Sequence, residues 1–432
     1  MLIKENQREV ESKSMLFRIC AVLIWAIFLY SSIIQYKYFA ISNGMLYLGA
    51  AILAVYLLMI NGRELSYEAL FSIECRWMLT YMGYMLVFGT VVATMRSSHL
   101  SLWITTMEYL FIMLVMVELI GRTGTNTFQY LLIATSIWLG VILLRQPIMY
   151  TIGRYSISTD LNPNYLGMCF TAGIWSVLFF QQKGRIPLVI TFPMAMFLIY
   201  CIIQTGSRKA LIAAGLELIL WLVFCFFPSM RNDDTWKKVL NLIVCATLAF
   251  FAVRLFAAEY ANSSIAKRMA NLQSEGSAGE RFGLYRTGWE LFVTSPFFGS
   301  GFSGFMGFRG EDSHATFVEV PVSGGVFGIV IYFAAYLVSI RNCWQIYRES
   351  RNDDFLRDEL TEIRMILVLW AVMLFYCTCI IHPQQFLSNV SFGIIFGKTV
   401  YLQNSIEQKK KNAGLHGMRG LKLHGKSIYI KD

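Results

Sequence analysis

Long apolar runs separated by short polar segments dominate this sequence. A helix that crosses a bilayer needs about 20 mostly apolar residues, and runs of roughly 17 to 23 such residues recur along the chain. The pattern predicts an all-α membrane protein with about twelve transmembrane helices. The predicted spans are residues 15–35, 44–60, 75–94, 100–120, 128–144, 165–181, 186–203, 209–228, 237–258, 318–340, 362–382 and 386–403.

Composition supports a polytopic membrane protein. Hydrophobic residues make up 56% of the 432 residues and charged residues only 15%, which excludes an ordinary soluble globular chain. The first apolar run lacks a small-residue cleavage site, so we expect it to remain as a span. The net charge of +10 is typical of some nucleic-acid-binding proteins. Here the basic residues lie in short loops between spans, so membrane topology explains them and no nucleic-acid partner is expected.

The distribution of Lys and Arg predicts the orientation of the chain. If both termini are inside, 25 of the 37 Lys and Arg residues fall on inner segments, as the positive-inside rule requires. We therefore predict cytoplasmic termini, a transmembrane domain over residues 1–403 and a basic cytoplasmic tail over 404–432. The tail is interpreted as a solvated basic end near anionic lipid, with a partner-binding arm as the alternative.

The largest predicted outward loop, residues 259–317, contains an amphipathic segment. Its apolar residues at 282, 285, 289 and 292 have helical spacing, which predicts a short helix on the membrane surface. Tyr285 and Trp289 of this stripe are candidate substrate contacts. Arg281 and Arg286 lie about 140° apart on its two edges. We do not expect them to bind the same phosphate, and interfacial snorkelling is the alternative for each.

His314 in EDSHATFVEV is a candidate general base, because imidazole changes its protonation state near neutral pH. The alternative is a polar end group at the start of the next span. Carboxylates at Glu311, Asp312 and Glu319 surround it, and one of them could orient the ring. The sequence leaves open which carboxylate does so.

Two smaller predicted outward segments carry further candidates. In TGSRKA, Ser207 is expected to cap a span whose N-terminus carries Arg208 and Lys209. The helix dipole, the free backbone N–H groups and the guanidinium together favour binding of a diphosphate. The alternative is that Arg208 and Lys209 are an interfacial anchor pair. In DLNPNYLG, Asn162 is the predicted N-cap and Pro163 the first helical residue. The loop before it contains Arg154, a candidate contact along a substrate path.

The order of these segments resembles a known family. NPNYLG, SRKA, ERFGLYRTGWELFVTSPFFGSGFSGF and SHATFVEVPVSGG, within roughly residues 150–340, are similar to segments of the O-antigen ligase and polymerase superfamily of bacterial envelopes. These are multi-span inverting glycosyltransferases that act on sugars carried by undecaprenyl diphosphate. The resemblance implies that Arg208 and Arg281 bind the lipid-linked diphosphate and that His314 deprotonates the acceptor hydroxyl. Lys209 departs from the pattern, which more often has Gly there.

The chemistry of a glycosyl diphosphate agrees with this resemblance. Such a donor carries its own leaving group, so cations for the departing charge and one base are sufficient, and no metal or other cofactor is expected. We predict polymerisation of exopolysaccharide, capsule or O-antigen units in the bacterial cytoplasmic membrane. The expected partners are the lipid-linked glycan, membrane lipid, a flippase and a chain-length regulator. The alternatives are a ligase for finished glycan and a twelve-span transporter or flippase, although few ionisable residues lie within the spans.

Overall fold

The structure is a computed structural model, and it describes most of the chain from residue 71 to residue 412. The continuous ranges are 71–124, 126–151, 154–159, 161–229, 277–351 and 353–412. Six isolated helical residues are also described, namely Met15, Ile19, Val22, Leu23, Ala26 and Arg254. Within the helices, the side chains of residues 122, 123, 277, 278, 280 and 281 lie outside the description.

The described chain is almost entirely helical, which confirms the predicted all-α class. The helices are α1 (Ile73–Tyr84), α2 (Arg96–Thr123), α3 (Thr127–Arg145), α4 (Pro163–Gln182), α5 (Leu188–Thr205), α6 (Arg208–Trp221), α7 (Ser277–Thr294), α8 (Gly304–Arg309), α9 (Thr316–Arg351), α10 (Arg357–Cys377) and α11 (Phe386–Asn412). Helices α1 and α6 each continue through a π-helical turn, Met85–Gly89 and Leu222–Phe226, into a short helical end. A hairpin of β1 (Ile148–Thr151) and β2 (Arg154–Ser156) joins α3 to α4.

Helices occupy the nine predicted spans that fall in the described ranges, although some helix ends differ and α10 ends at Cys377, five residues before the predicted end. Six described helices are long and apolar enough to cross a membrane. They are residues 96–121, 127–145, 188–205, 208–229, 316–351 and 354–377. Predicted spans 15–35, 44–60 and 237–258 lie outside the continuous described ranges. The count of about twelve spans and the outward position of loop 259–317 therefore stay predictions.

Helix α9 extends beyond its predicted span. The predicted span ends near residue 340, whereas α9 runs to Arg351. A short 3-10 turn then leads into α10. Helix α11 likewise continues to Asn412, nine residues into the predicted tail, and residues 413–432 lie outside the description.

The core is a helical bundle rich in aromatic side chains. Helix α11 packs along α2, α4 packs against α3 and α5, and α9 packs against α1 and α10. Trp175 and Trp370 are buried, and each indole N–H has an acceptor. Trp175 donates to the Met365 carbonyl at 2.9 Å, and Trp370 donates to the Ser339 hydroxyl at 3.2 Å. Such pairing matters because an unpaired polar group in an apolar interior is costly.

Several helix ends meet at one end of this bundle because local sequence stops or starts them there. The Asn162 side chain accepts from the Asn164 N–H at 2.9 Å, and Pro163 is the first residue of α4. Gly206 ends α5 with φ 65°, and the Ser207 side chain accepts from the Ala210 N–H at the start of α6. The predicted caps at Asn162 and Ser207 are confirmed.

Candidate active site

A cavity of ≈ 460 Å³ lies where these helix ends meet. Four of the candidates predicted from the sequence line it together, namely Arg154, Arg208, Lys209 and His314. They come from three places in the chain: β2, the first two residues of α6, and the segment before α9. The other lining residues are Asn162, Asn164, Tyr165, Met168, Gly206, Leu284, Glu311, Asp312, Cys379, Ile380, Ile381, Gln384 and Gln385.

The basic side of the cavity is built around Asn164. Arg154 Nη2 and the Ser207 hydroxyl each donate to Asn164 Oδ1 at 3.1 Å. Arg154 Nε also donates to the Thr205 carbonyl at 3.5 Å. These bonds connect the β2 arginine to the first turn of α4 and to the end of α5, and Asn164 joins α4 to the N-cap of α6. The first turns of both helices line the cavity, so two positive helix-dipole ends face the same space as the arginine and lysine side chains. The arrangement favours an anion with several oxygens.

Lys209 is held in a defined position. Its Nζ donates to the Cys379 carbonyl at 2.5 Å, in the turn that follows α10. The bond fixes the ammonium at the wall of the cavity, between α6 and this turn. A charge held in place by the protein stabilises a developing anion without the cost of reorganisation.

The backbone at His314 is strained. Its φ is +56°, and no other non-glycine residue in the described part of the chain has a positive φ. The left-handed region costs an L-residue about 1–2 kcal/mol. Ser313 and Ala315 on either side are buried, whereas His314 is exposed to the cavity. Strain of this kind persists only where the surroundings enforce it, and it is concentrated at functional sites.

The carboxylates around His314 have different surroundings. Glu319 is buried and does not line the cavity. Its Oε2 accepts from the Ser313 hydroxyl at 2.7 Å, and its Oε1 accepts from the Ser323 hydroxyl at 3.4 Å. Glu311 and Asp312 do line the cavity. The Glu319 carboxylate therefore braces the segment before His314 from inside α9.

A helix, α7, forms where the amphipathic segment was predicted, but Tyr285, Arg286 and Trp289 lie outside the cavity. Arg286 forms an exposed ion pair with Glu290 at 2.9 Å, and Trp289 is 64% exposed. Tyr285 Oη donates to the Thr378 carbonyl at 2.9 Å. Among the α7 residues whose side chains the structure describes, Leu284 lines the cavity. Arg281 lies one helical turn before Leu284 in α7, and its side chain is outside the description.

Some lining residues were not predicted from the sequence. Asn164 was missed because helix capping by Asn162 and Pro163 is enough to explain the NPN motif. The second Asn, two residues after the cap, is the signal that could have indicated a further polar role. Gln384 and Gln385 were missed because they belong to none of the motifs identified in the sequence. In the described segments, no group of three or more His, Cys, Asp or Glu side chains is placed to hold a metal ion.

Comparison with known proteins supports the resemblance drawn from the motifs. Residues 193–333, about a third of the chain, match the family model described as O-Antigen ligase. This match supports the resemblance to the O-antigen ligase/polymerase superfamily over that part of the chain. The matched segment contains Arg208, Lys209, Arg281 and His314, whereas Arg154 and the turn after α10 lie outside it. A search of curated proteins finds no match.

Proposed function

We propose that the protein joins lipid-linked oligosaccharide repeat units into a polysaccharide on the outer face of the cytoplasmic membrane. The observation that carries this proposal is the cavity in which Arg154, Arg208, Lys209 and His314 meet. A base beside a cluster of cations is what transfer from a glycosyl diphosphate requires. The match of residues 193–333 to the O-antigen ligase family model supports the same reaction class.

The proposed step is an inverting displacement at the anomeric carbon of the donor. A hydroxyl oxygen of the acceptor unit forms the new bond to that carbon as the bond to the diphosphate oxygen breaks. The electron pair leaves with the diphosphate, whose charge is stabilised by Arg208 and Lys209, with Arg154 and the α6 N-terminus nearby. The acceptor proton goes to the His314 imidazole. The products are the lengthened glycan on its lipid and free lipid diphosphate.

Arg281 is a further proposed ligand of the diphosphate. Residues three apart on a helix share a face, and Leu284 on that face lines the cavity. Because Arg154, Arg208 and Lys209 supply the positive charge, we expect transfer to proceed without added divalent cations. A strict metal requirement after chelation would argue against this mechanism.

The test uses a strain that lacks the protein. His314→Ala and Arg208→Ala should abolish long glycan while each variant reaches the membrane at wild-type amount. Arg286→Ala is the matched control, because Arg286 forms its ion pair outside the cavity. Its glycan should keep wild-type length. Long glycan made by His314→Ala would rule out the proposed base.

The same strain separates a polymerase from a ligase, the alternative that the family description itself names. Accumulation of single lipid-linked repeat units in the deletion strain indicates a polymerase. Accumulation of long lipid-linked chains that are never attached to an acceptor indicates a ligase. Gel separation of the extracted lipid-linked glycans distinguishes the two results.

A further inference from the structure

The turn from Thr378 to His382, directly after α10, connects three parts of the candidate active site. Its first three carbonyls are consecutive acceptors. Thr378 O accepts from Tyr285 of α7 at 2.9 Å, and Cys379 O accepts from Lys209 of α6 at 2.5 Å. Ile380 O accepts from the Thr316 N–H at 2.9 Å. One short turn therefore contacts α6, α7 and the start of α9.

Thr316 makes the densest set of these contacts. Besides its N–H bond, its hydroxyl donates to the Ile380 carbonyl at 2.5 Å and accepts from the His382 N–H at 2.9 Å. The residue is fully buried and lies two positions after His314. Three hydrogen bonds through one residue hold the C-terminal side of the strained His314 against the turn. On the N-terminal side, Ser313 is held by Glu319.

The turn is itself anchored in the core by His382. The imidazole is fully buried, and its Nδ1 lies 2.9 Å from the Tyr336 hydroxyl. The Tyr336 and Tyr332 hydroxyls, both on α9, lie 2.9 Å apart. Helix α9 therefore contacts the 378–382 segment through Tyr336. Burial lowers the pKa of His382 to about 3, which keeps the ring neutral at physiological pH. The neutral ring therefore anchors the turn through its contact with Tyr336.

We infer that Thr316 is a positioning residue, which sets the place of the His314 base relative to the Lys209 ammonium through the 378–382 turn. The inference rests on the proposed function. Lys209 and Thr316 bond to carbonyls of adjacent residues, whose Cα atoms are about 3.8 Å apart. The bonds that attach the His314 segment and the Lys209 cation to the turn are therefore one peptide unit apart. A displacement of about 1 Å at a reacting group can lower a rate about 100-fold.

Thr316→Val tests this inference, because it keeps the size and the backbone N–H but removes the hydroxyl. The substrate is the lipid-linked oligosaccharide that accumulates in the deletion strain, and the enzyme is the purified full chain in lipid nanodiscs. We expect kcat to fall roughly 10- to 100-fold with little change in KM. The diphosphate ligands are untouched, so donor binding should stay near the wild-type value.

Two comparisons separate positioning from general destabilisation. Thr316→Ser restores the hydroxyl and should recover most of kcat, whereas Thr316→Cys, of similar size but a poor hydrogen-bonding group, should behave like Val. This pair remains informative if Thr316→Val does not fold. Thr171→Val is the matched control. The buried Thr171 hydroxyl also donates to a carbonyl, that of Gly167, and accepts from Tyr376, and Thr171 does not line the cavity. It should keep wild-type kcat.

The outcomes distinguish failure of this inference from failure of the proposed function. Wild-type kcat in Thr316→Val or in Thr316→Cys, together with an inactive His314→Ala, overturns the positioning role and leaves the base in place. Equal loss in the Ser and Cys variants overturns it as well. An active His314→Ala overturns the proposed function itself. Slow turnover in Thr316→Val and Thr316→Cys with rescue by Ser supports the inference.

Discussion

At the scale of single residues, His314 shows how the protein holds a strained group at the cavity. The left-handed backbone at this position is unfavourable, and the bonds of Ser313 and Thr316 on either side offset the cost. The imidazole itself is exposed, so its packing contributes little to stability. Substitutions at this position can therefore separate the effect of the backbone conformation on stability from the effect of the imidazole on activity.

Asn and Val at position 314 should have different effects on stability and the same effect on activity. Asn adopts the left-handed region more readily than most residues, whereas a β-branched residue is strongly disfavoured there. We expect His314→Asn to keep the wild-type Tm and His314→Val to lose roughly 1–2 kcal/mol. Neither supplies a base, so both should be inactive. Thermal unfolding of the purified variants measures the difference, and equal Tm values would contradict the role of strain.

At the scale of elements, the break in α9 organises the glycine-rich segment that follows α7. Gly325 has φ 62° and ψ −160°, a combination essentially restricted to glycine. The break frees the Val322 and Ser323 carbonyls, which accept from the N–H groups of Ser300 and Gly301 at 2.8 and 2.9 Å. Unpaired backbone is costly in an apolar environment. The loop after α7 therefore completes the hydrogen bonding of the broken helix.

Alanine at Gly325 should disrupt this interface. A Cβ there would lie 2.4 Å from the backbone carbonyl of Phe297, in addition to the strain of the positive φ. Gly299→Ala should act in the same way, since its Cβ would meet the Ser323 backbone at 2.4 Å. We expect each to lose more than about 1–2 kcal/mol, the cost of the backbone conformation alone.

Gly215→Ala, in α6, is the control for these variants. A Cβ there meets nothing within 4 Å, and alanine favours the helix, so Tm should be unchanged or slightly higher. The amount of each variant in the membrane and its Tm provide the measurement. A wild-type Tm in Gly325→Ala would show that the break can relax without cost.

At the scale of the whole molecule, polar groups gather at both ends of the bundle. The cavity occupies one end, and the buried cation of Lys398 marks the other. Its Nζ donates to the Gly124 carbonyl and to Asn126 Oδ1, each at 2.8 Å, and to Glu362 Oε2 at 3.2 Å. Glu362 also pairs with Lys183. Helices α4 and α10 each have one end at the cavity and the other at this cluster, so the cluster fixes the helices that frame the site.

Removing Lys398 should destabilise the fold without altering the chemistry. Lys398→Met leaves the buried Glu362 with one partner fewer, and breaking a buried pair typically costs about 3–5 kcal/mol. The double variant Lys398→Met with Glu362→Leu should recover part of that loss, since fewer buried charges remain unpaired. Lys410→Met on the same helix is the control, because its partner Glu349 is partly exposed and such pairs contribute about 0–1 kcal/mol.

Thermal unfolding together with KM for the lipid-linked donor tests this prediction. Folded Lys398→Met should keep the wild-type KM, because its partners lie far along the helices from the cavity. A lower Tm in Lys410→Met than in Lys398→Met would contradict the role assigned to burial.

Much of the helical architecture could be predicted from local sequence. The caps at Asn162 and Ser207, and the amphipathic helix containing Leu284, follow from residues within one or two helical turns of each other. The environment of Glu319 could not be predicted. Its position beside His314 in the sequence indicated a possible contact with the imidazole, whereas helical geometry turns it towards Ser313 and Ser323.

The sequence by itself determined the helices, their caps and the chemical types available at the site, because these depend on hydrophobic runs and on bonds between near neighbours. Only the tertiary structure decided which candidates meet. Lys209 bonds to Cys379 across 170 residues, and Thr316 bonds to Ile380 across 64. Those contacts depend on how distant helices pack. The same packing brings Arg154 into the cavity and leaves Arg286 outside it.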